Sequence, residues 1–375
     1  MSMERKGLSA PDPSKVTVLT SDLSHPDFGL RTEDYHDITS LITHIVHCAW
    51  PVNFQLGIRS FEPHIAGVCN LVNLSLAVRT AQPARFIFCS SITSAMGRLA
   101  PARITEAPIT DLAFSSSLGY GRSKLVAEHV IQRAVETAHA NAIILRIGQV
   151  VGDQKHGSWS QDEMIPMIVR SGLMMSSLPS LDMKCEWLPV DTLAETVLEL
   201  SGLQVPLPLE PREDAKQSDP RRISGDMKAC GLGKDNSQAQ GLVYNVRSPH
   251  TFSWTDDFLP TLAGLGFKFD SVPFTQWLNH LQSLQEDPKE VSNNGSAGSG
   301  SLASDPSHNP AIKLIEYLRN GFHDDSRYTV FEITEAQRRS AALRNAPMVV
   351  QSGLVGLMVK RWVSDWTMTD GRVLN

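Results

Sequence analysis

The chain has 375 residues, 41% hydrophobic and 20% charged, with 34 Lys and Arg against 40 Asp and Glu for a formal charge of −6. Those values exclude a wholly disordered or fibrous chain, and the length supplies a hydrophobic core without help from disulfides or metals. The acidic balance excludes the basic footprint of a nucleic-acid binder.

Residues 1–15 are polar, lack the apolar run of a signal peptide and predict a disordered N-terminus. Val16–Thr20 (VTVLT) is apolar and β-branched and predicts a buried strand, followed by Ser21, Asp22 and Leu23. A helix is expected around Asp34–Leu41, a second strand at Thr43–His47, and a helix over Phe61–Leu76, where Ile65, Val68, Leu71, Val72 and Leu76 recur at helical spacing. Arg85–Cys89 (RFIFC) predicts a third strand, Tyr120–Thr137 a helix and Ala142–Ile147 (AIILRI) a fourth strand. Strands that are apolar nearly throughout, alternating with helices, imply an α/β fold with a parallel sheet covered on both faces.

After about Gly202 the composition changes. Residues 203–241 read as an insertion rich in Pro, Asp, Lys and Gly, and Leu242–Val246 as one more strand. Helical patterns follow at Trp254–Leu265, Thr275–Leu284, Ala311–Arg319, Thr334–Leu343 and Val349–Trp366, with a low-complexity loop at 286–310. The predicted division is a sheet domain over 16–202 and a smaller, mostly helical C-terminal lobe over 242–375. Met348–Val359 is too short for a membrane span and is broken by Gln351 and Ser352. Cys48, Cys69, Cys89, Cys185 and Cys230 are odd in number and form no C-x-x-C pair. They predict a reducing, cytoplasmic setting and neither a disulfide framework nor a metal site.

One constellation carries chemistry. Tyr120 and Lys124 stand at i and i+4, which places phenol and ammonium on one helix face. An adjacent ammonium favours the phenolate, and such a Tyr can donate to an oxygen that becomes alkoxide-like as its carbonyl takes up hydride. Ser90 and Ser91 follow the strand RFIFC. They stand at a strand's C-terminal end, where open parallel sheets bind ligands. Taken alone, two serines there read first as plain turn chemistry.

The chain resembles the thioester-reductase, or male-sterility-type NAD-binding, domains of the extended short-chain dehydrogenase/reductase superfamily. Such domains end nonribosomal peptide synthetases, carboxylic acid reductases and aminoadipate reductases. The resemblance rests on Ser21-Asp22-Leu23, on His47-Cys48-Ala49-Trp50-Pro51-Val52-Asn53, on Ser90-Ser91, and on Gly119-Tyr120-Gly121-Arg122-Ser123-Lys124 with Glu128. It continues through Leu145-Arg146-Ile147-Gly148-Gln149, Gly152-Asp153, Gly157-Ser158-Trp159 and Trp187-Leu188-Pro189-Val190-Asp191. It implies a Rossmann-like doubly wound sheet, with Ser91, Tyr120 and Lys124 as catalytic residues. Cofactor contacts would come from Asp22 and Leu23 at adenine, Cys48, Ala49 and Trp50 at a strand end, Tyr120 and Lys124, and Arg146, Gly148 and Gln149 near nicotinamide.

The implied reaction is NADPH-dependent reduction of a phosphopantetheine-tethered acyl or peptidyl thioester to an aldehyde or alcohol, in secondary-metabolite biosynthesis. The carrier protein would act in trans. Trp159, Trp187 and Asp191 fall where such domains shape the substrate side. The two tryptophans read equally well as core, Asp191 as the N-cap of the helix after it, and Glu128 as an i,i+4 partner of Lys124.

Two departures stand out. The family opens with a strand, a glycine-rich G-x-x-G-x-x-G turn and a helix, a unit of about 30 residues or more. Only fifteen residues precede Val16. The expectation is a sheet domain missing its first βαβ unit, with weak or absent NADPH binding. His64 stands where many relatives carry Asn, and reads as a helix-surface histidine. Two further readings stay open: a remnant or interaction module without cofactor binding, and a sugar-nucleotide epimerase or dehydratase sharing Tyr-x-x-x-Lys.

Overall fold

The computed structural model describes residues 3, 9–79, 82–97, 102–203, 242–286, 309–321 and 329–370. The insertion at 203–241 and the loop at 286–310 lie almost wholly outside the described residues, as does most of the stretch 1–8.

Four parallel strands form the central sheet: β1 (His44–His47), β2 (Arg85–Ser91), β3 (Ala142–Ile147) and β4 (Leu242–Val246), paired in chain order. Alternation sends their side chains to two helical layers. Phe86, Phe88, Ala142, Ile144 and Val243 pack on one face with α1 (Thr32–Leu41), α2 (Glu62–Ala77) and α3 (Gly119–Ala138). Ile87, Ile143, Leu145, Tyr244 and Val246 pack on the other, against helix Val190–Ser201 and the helical turns at Thr334–Arg339 and Ala341–Arg344. The sheet is thus covered on both faces, as its continuous apolar strands predict.

Val16–Thr20 is not a strand. All five residues are exposed, and Val18 is 87% exposed. Extended backbone becomes a strand only with a hydrogen-bonding neighbour, and among the described residues none pairs with this run. One edge of the described sheet is therefore β1, where Val46 is 43% exposed.

The second core is aromatic and holds six of the seven tryptophans, Trp159, Trp187, Trp254, Trp277, Trp362 and Trp366. It draws on both sides of the strand at Leu242: Met164–Met175 from before it, and Phe274–Glu286, Ile315–Gly321 and Leu354–Asp370 from after it. The helix expected at Trp254–Leu265 starts with a π turn over Trp254–Phe258, and the last helix starts at Leu354 rather than Val349. Sheet and lobe are tied by a parallel pairing of Ala102–Ile104 with Thr329–Phe331. Beside it, Glu106 accepts backbone N–H bonds from Asn245, Glu335 and Ala336. Among the described residues no helix is long and apolar enough to cross a membrane.

Candidate active site

The site gathers at the C-terminal ends of β1 and β2. Ser91 ends β2 and caps the 3₁₀ turn Ile92–Ala95, its Oγ accepting from the Thr93 N–H at 3.3 Å and the Thr93 hydroxyl at 3.0 Å. Helix α3 begins beside this turn. A Cβ at Gly121 would meet the Thr93 carbonyl oxygen at 2.6 Å, and one at Gly119 would meet the Leu56 oxygen at 2.3 Å. Gly121 lets the helix lie against the turn and Gly119 lets its start lie against the Leu56–Ile58 segment, which sets Tyr120 beside Ser91. One helical turn on, Lys124 Nζ donates to the Cys89 carbonyl at 2.6 Å and lies 4.5 Å from the Trp50 ring centroid and 4.7 Å from that of Phe88. Replacing Gly121 with Ala forces the helix off the turn; we expect a stability loss of about 1–3 kcal/mol, read as a lowered urea midpoint.

Behind the triad lies a network that helical spacing alone misassigns. Glu128 was expected to pair with Lys124 along the helix. Its carboxylate instead accepts from Ser90 Oγ at 2.5 Å, Ser94 Oγ at 2.7 Å, and Arg146 Nε and Nη2 at 3.0 and 2.7 Å. Arg146, expected near nicotinamide, is fully buried and gives its remaining Nη1 bond to the Ala107 carbonyl at 3.0 Å. Its guanidinium is thus engaged inside the protein. Ser94 Oγ also lies 2.8 Å from the Ser91 carbonyl, so its single hydroxyl proton is shared between that oxygen and Glu128, and the network fixes the backbone that carries Ser91.

The other predicted residues fall in three places. Trp50 is buried beside the triad, its ring 5.6 Å from His64, which is half-buried rather than free on the helix surface. Asp22 lies in an exposed turn and accepts from the Ser24 N–H and hydroxyl, while the Leu23 carbonyl accepts from Asn70 on α2 at 2.9 Å. Past β3, the Gly148 N–H donates to the Val246 carbonyl at 2.8 Å and Gln149 Nε2 to the Val150 carbonyl at 2.8 Å. Trp159 and Trp187 pack edge to face at 5.4 Å within the second core. Asp191 is not an N-cap. It lies inside the first turn of its helix, capped by Pro189, and accepts from the Gln154 N–H at 3.0 Å, pinning the loop after β3.

Burial dominates the electrostatics. It pushes the Tyr120 phenol up, against the Ser91 hydrogen bond, so the expected drop toward phenolate is not what the structure gives. Burial likewise pushes the Lys124 ammonium down to about 7, although Cys89, Glu128 and Cys48 hold it up. His47, ringed by Trp50, Phe86 and Phe88, is pushed down to about 4 by burial and then by Lys124 and His64, and its buried Nε2 has no partner among the described residues.

These shifts fix two pH windows. As pH falls below 6.5 the unfolded chain protonates its histidine first, so the His47 contribution is present above 6.5 and lost toward 4. The buried Lys124 ammonium costs stability in full below about 7 and is relieved as pH rises toward 10.5. Urea unfolding of His47→Phe should lose less stability than wild type between pH 6.5 and about 4, and Lys124→Met should gain less between 7 and about 8.5. Parallel profiles for variant and wild type would refute the assignment.

The strand-end cluster suits the nicotinamide end of a dinucleotide. Lys124 has one short bond and two donor hydrogens in hand, and the buried Trp50 Nε1 has no partner among the described residues. For the pyrophosphate, no glycine-rich turn between a strand and a helix is found among the described residues.

Comparison with known proteins points the same way. Residues 2–197 match the male sterility protein family. The chain is 28% identical over 373 residues to the adenylate-forming reductase Nps10 of Heterobasidion annosum, covering 95% of this chain and 29% of that protein. It is 29% identical over 369 residues to a carboxylic acid reductase of Neurospora crassa, covering 96% and 30%. The chain therefore spans less than a third of the length of these relatives. Its fold is similar to the terminal R domain from the myxalamid PKS-NRPS biosynthetic pathway, with a TM-score of 0.66, 21% identity, and 92% and 74% of the two chains covered. The chain belongs to the male sterility protein family of NAD-binding domains.

Proposed function

We propose that this chain reduces a carrier-tethered acyl or peptidyl thioester with NADPH, releasing an aldehyde or alcohol in secondary-metabolite biosynthesis. The observation that supports it most is the meeting of Ser91, Tyr120 and Lys124 at the strand ends, in a chain whose relatives include reductases. When bound, NADPH would supply the hydride. Tyr120 and Ser91 would donate to the thioester oxygen, where negative charge grows as the carbonyl becomes tetrahedral. A phenol held protonated by burial is a ready donor at neutral pH. Lys124 would hold a ribose hydroxyl, with Cys48, Ala49 and Trp50 along the cofactor, Gly148 and Gln149 near nicotinamide, and Asp22 and Leu23 toward adenine. Arg146 would act through Glu128, by fixing the Ser90–Ser94 turn. The acyl chain would arrive on the phosphopantetheine arm of a carrier protein acting in trans.

The test mixes the chain at millimolar cofactor with an acyl-pantetheine thioester or a UDP-sugar, and with NADPH or NADH. The proposal expects aldehyde or alcohol from the thioester with NADPH and no turnover of the sugar nucleotide. Epimerised or dehydrated sugar, or no thioester turnover, would overturn it.

A further inference from the structure

Cys48 and Cys89 stand side by side next to the lysine of the triad. β1 and β2 run parallel with His47, the last residue of β1, opposite Phe88, so the residue that follows it, Cys48, comes beside Cys89. Neighbouring strands are spaced about 4.7–4.9 Å apart, inside the Cα separation of about 4.4–6.8 Å that a disulfide spans. The thiols already interact, the Cys89 S–H donating to Cys48. Cys48 is exposed, Cys89 is half-buried, and the Cys89 carbonyl is the one that accepts from Lys124 Nζ. A low-molecular-weight oxidant therefore reaches the first sulfur from solvent, and the second lies within reach of it.

We propose that Cys48 and Cys89 form a reversible dithiol–disulfide site at the mouth of the Ser91–Tyr120–Lys124 cluster, oxidised by small-molecule disulfides. The Cys48 thiolate attacks one sulfur of the small disulfide, whose S–S bond breaks and releases one thiol. Cys89 loses its proton and attacks the Cys48 sulfur of the mixed disulfide, releasing the second thiol. Two electrons pass from the cysteine pair to the small disulfide, which leaves as two thiols. The Cys89 hydrogen bond and the nearby Lys124 favour the Cys48 thiolate, whereas that same hydrogen bond and then burial keep Cys89 protonated, so attack starts at Cys48. The new bond removes the sulfur charge that holds up the Lys124 ammonium. This inference rests on the strand register and does not depend on the reductase reading.

Treating the full chain with millimolar oxidised glutathione, then mapping peptides by mass spectrometry, tests it. The expected product links Cys48 to Cys89 with the loss of two hydrogens and reverts in dithiothreitol, leaving Cys69 and Cys185 unlinked. Cys89→Ser should stop at glutathionylated Cys48, and Cys48→Ser should slow oxidation of Cys89 by about ten-fold or more. Stable glutathione on Cys48 in the wild type, a link to any other cysteine, or no reaction would overturn the proposal.

Discussion

Replacing Tyr120 with Phe should lower thioester reduction by about 10²–10⁴-fold while the chain keeps its fold and its affinity for the thioester. The variant keeps the ring that packs edge to face on Phe54 at 5.3 Å and removes only the hydroxyl that meets Ser91. What is lost is a donor aimed at charge that appears in the transition state, so the loss should fall on kcat rather than KM. Ser91→Ala should act the same way but less, because Tyr120 still donates. Because Ser91 still donates to the same oxygen in Tyr120→Phe, the double variant should fall clearly below Tyr120→Phe alone. Rate constants from single turnovers at millimolar NADPH decide this, and an unchanged kcat in Tyr120→Phe would remove the residue from the chemistry.

The largest stability effect belongs to Glu128. Its carboxylate and the Arg146 guanidinium are almost fully shielded from water, at 4% and 0% side-chain exposure. Glu128→Leu leaves the guanidinium buried without its counter-ion and orphans the Ser90 hydroxyl, while Ser94 keeps the Ser91 carbonyl. The expected cost is about 3–5 kcal/mol, a large part of the roughly 5–15 kcal/mol that holds a typical domain folded. Removing both charges is a different matter, since an apolar pair of similar volume often restores a buried ion pair's stability. Glu128→Leu with Arg146→Met should therefore recover most of the loss, while leaving Ser91 less firmly held and activity reduced. Urea midpoints of wild type, single and double variants check this. A double variant as unstable as the single one would show that the pair does more than neutralise itself.

The parallel sheet was readable because its strands are local: RFIFC and AIILRI are apolar runs whose ends the structure moves by two residues or none. VTVLT looks the same by composition yet stays unpaired and exposed, because strand formation depends on a neighbour and composition does not report one. The clustering of Ser91, Tyr120 and Lys124 was legible because a fixed helical spacing and a strand end are both sequence-local features. Glu128 was misassigned because its strongest partner, Arg146, lies 18 positions away on the next strand. A signal was present: Tyr120, Lys124, Glu128, Ile131 and Val135 form one buried stripe on α3, and an acid in such a stripe needs an internal partner. The nearness of Cys48 to Cys89 follows from strand register, which cysteine counting cannot supply.

The central claim is that the Ser91–Tyr120–Lys124 cluster directs hydride from NADPH onto a thioester carbonyl. NADPH carrying deuterium at the transferable position tests it most directly, incubated with the chain and an acyl-pantetheine thioester. The account predicts deuterium on the former carbonyl carbon of the released aldehyde or alcohol, and none with Tyr120→Phe beyond the residual rate. Unlabelled product, or labelled product formed equally fast by Tyr120→Phe, would contradict it.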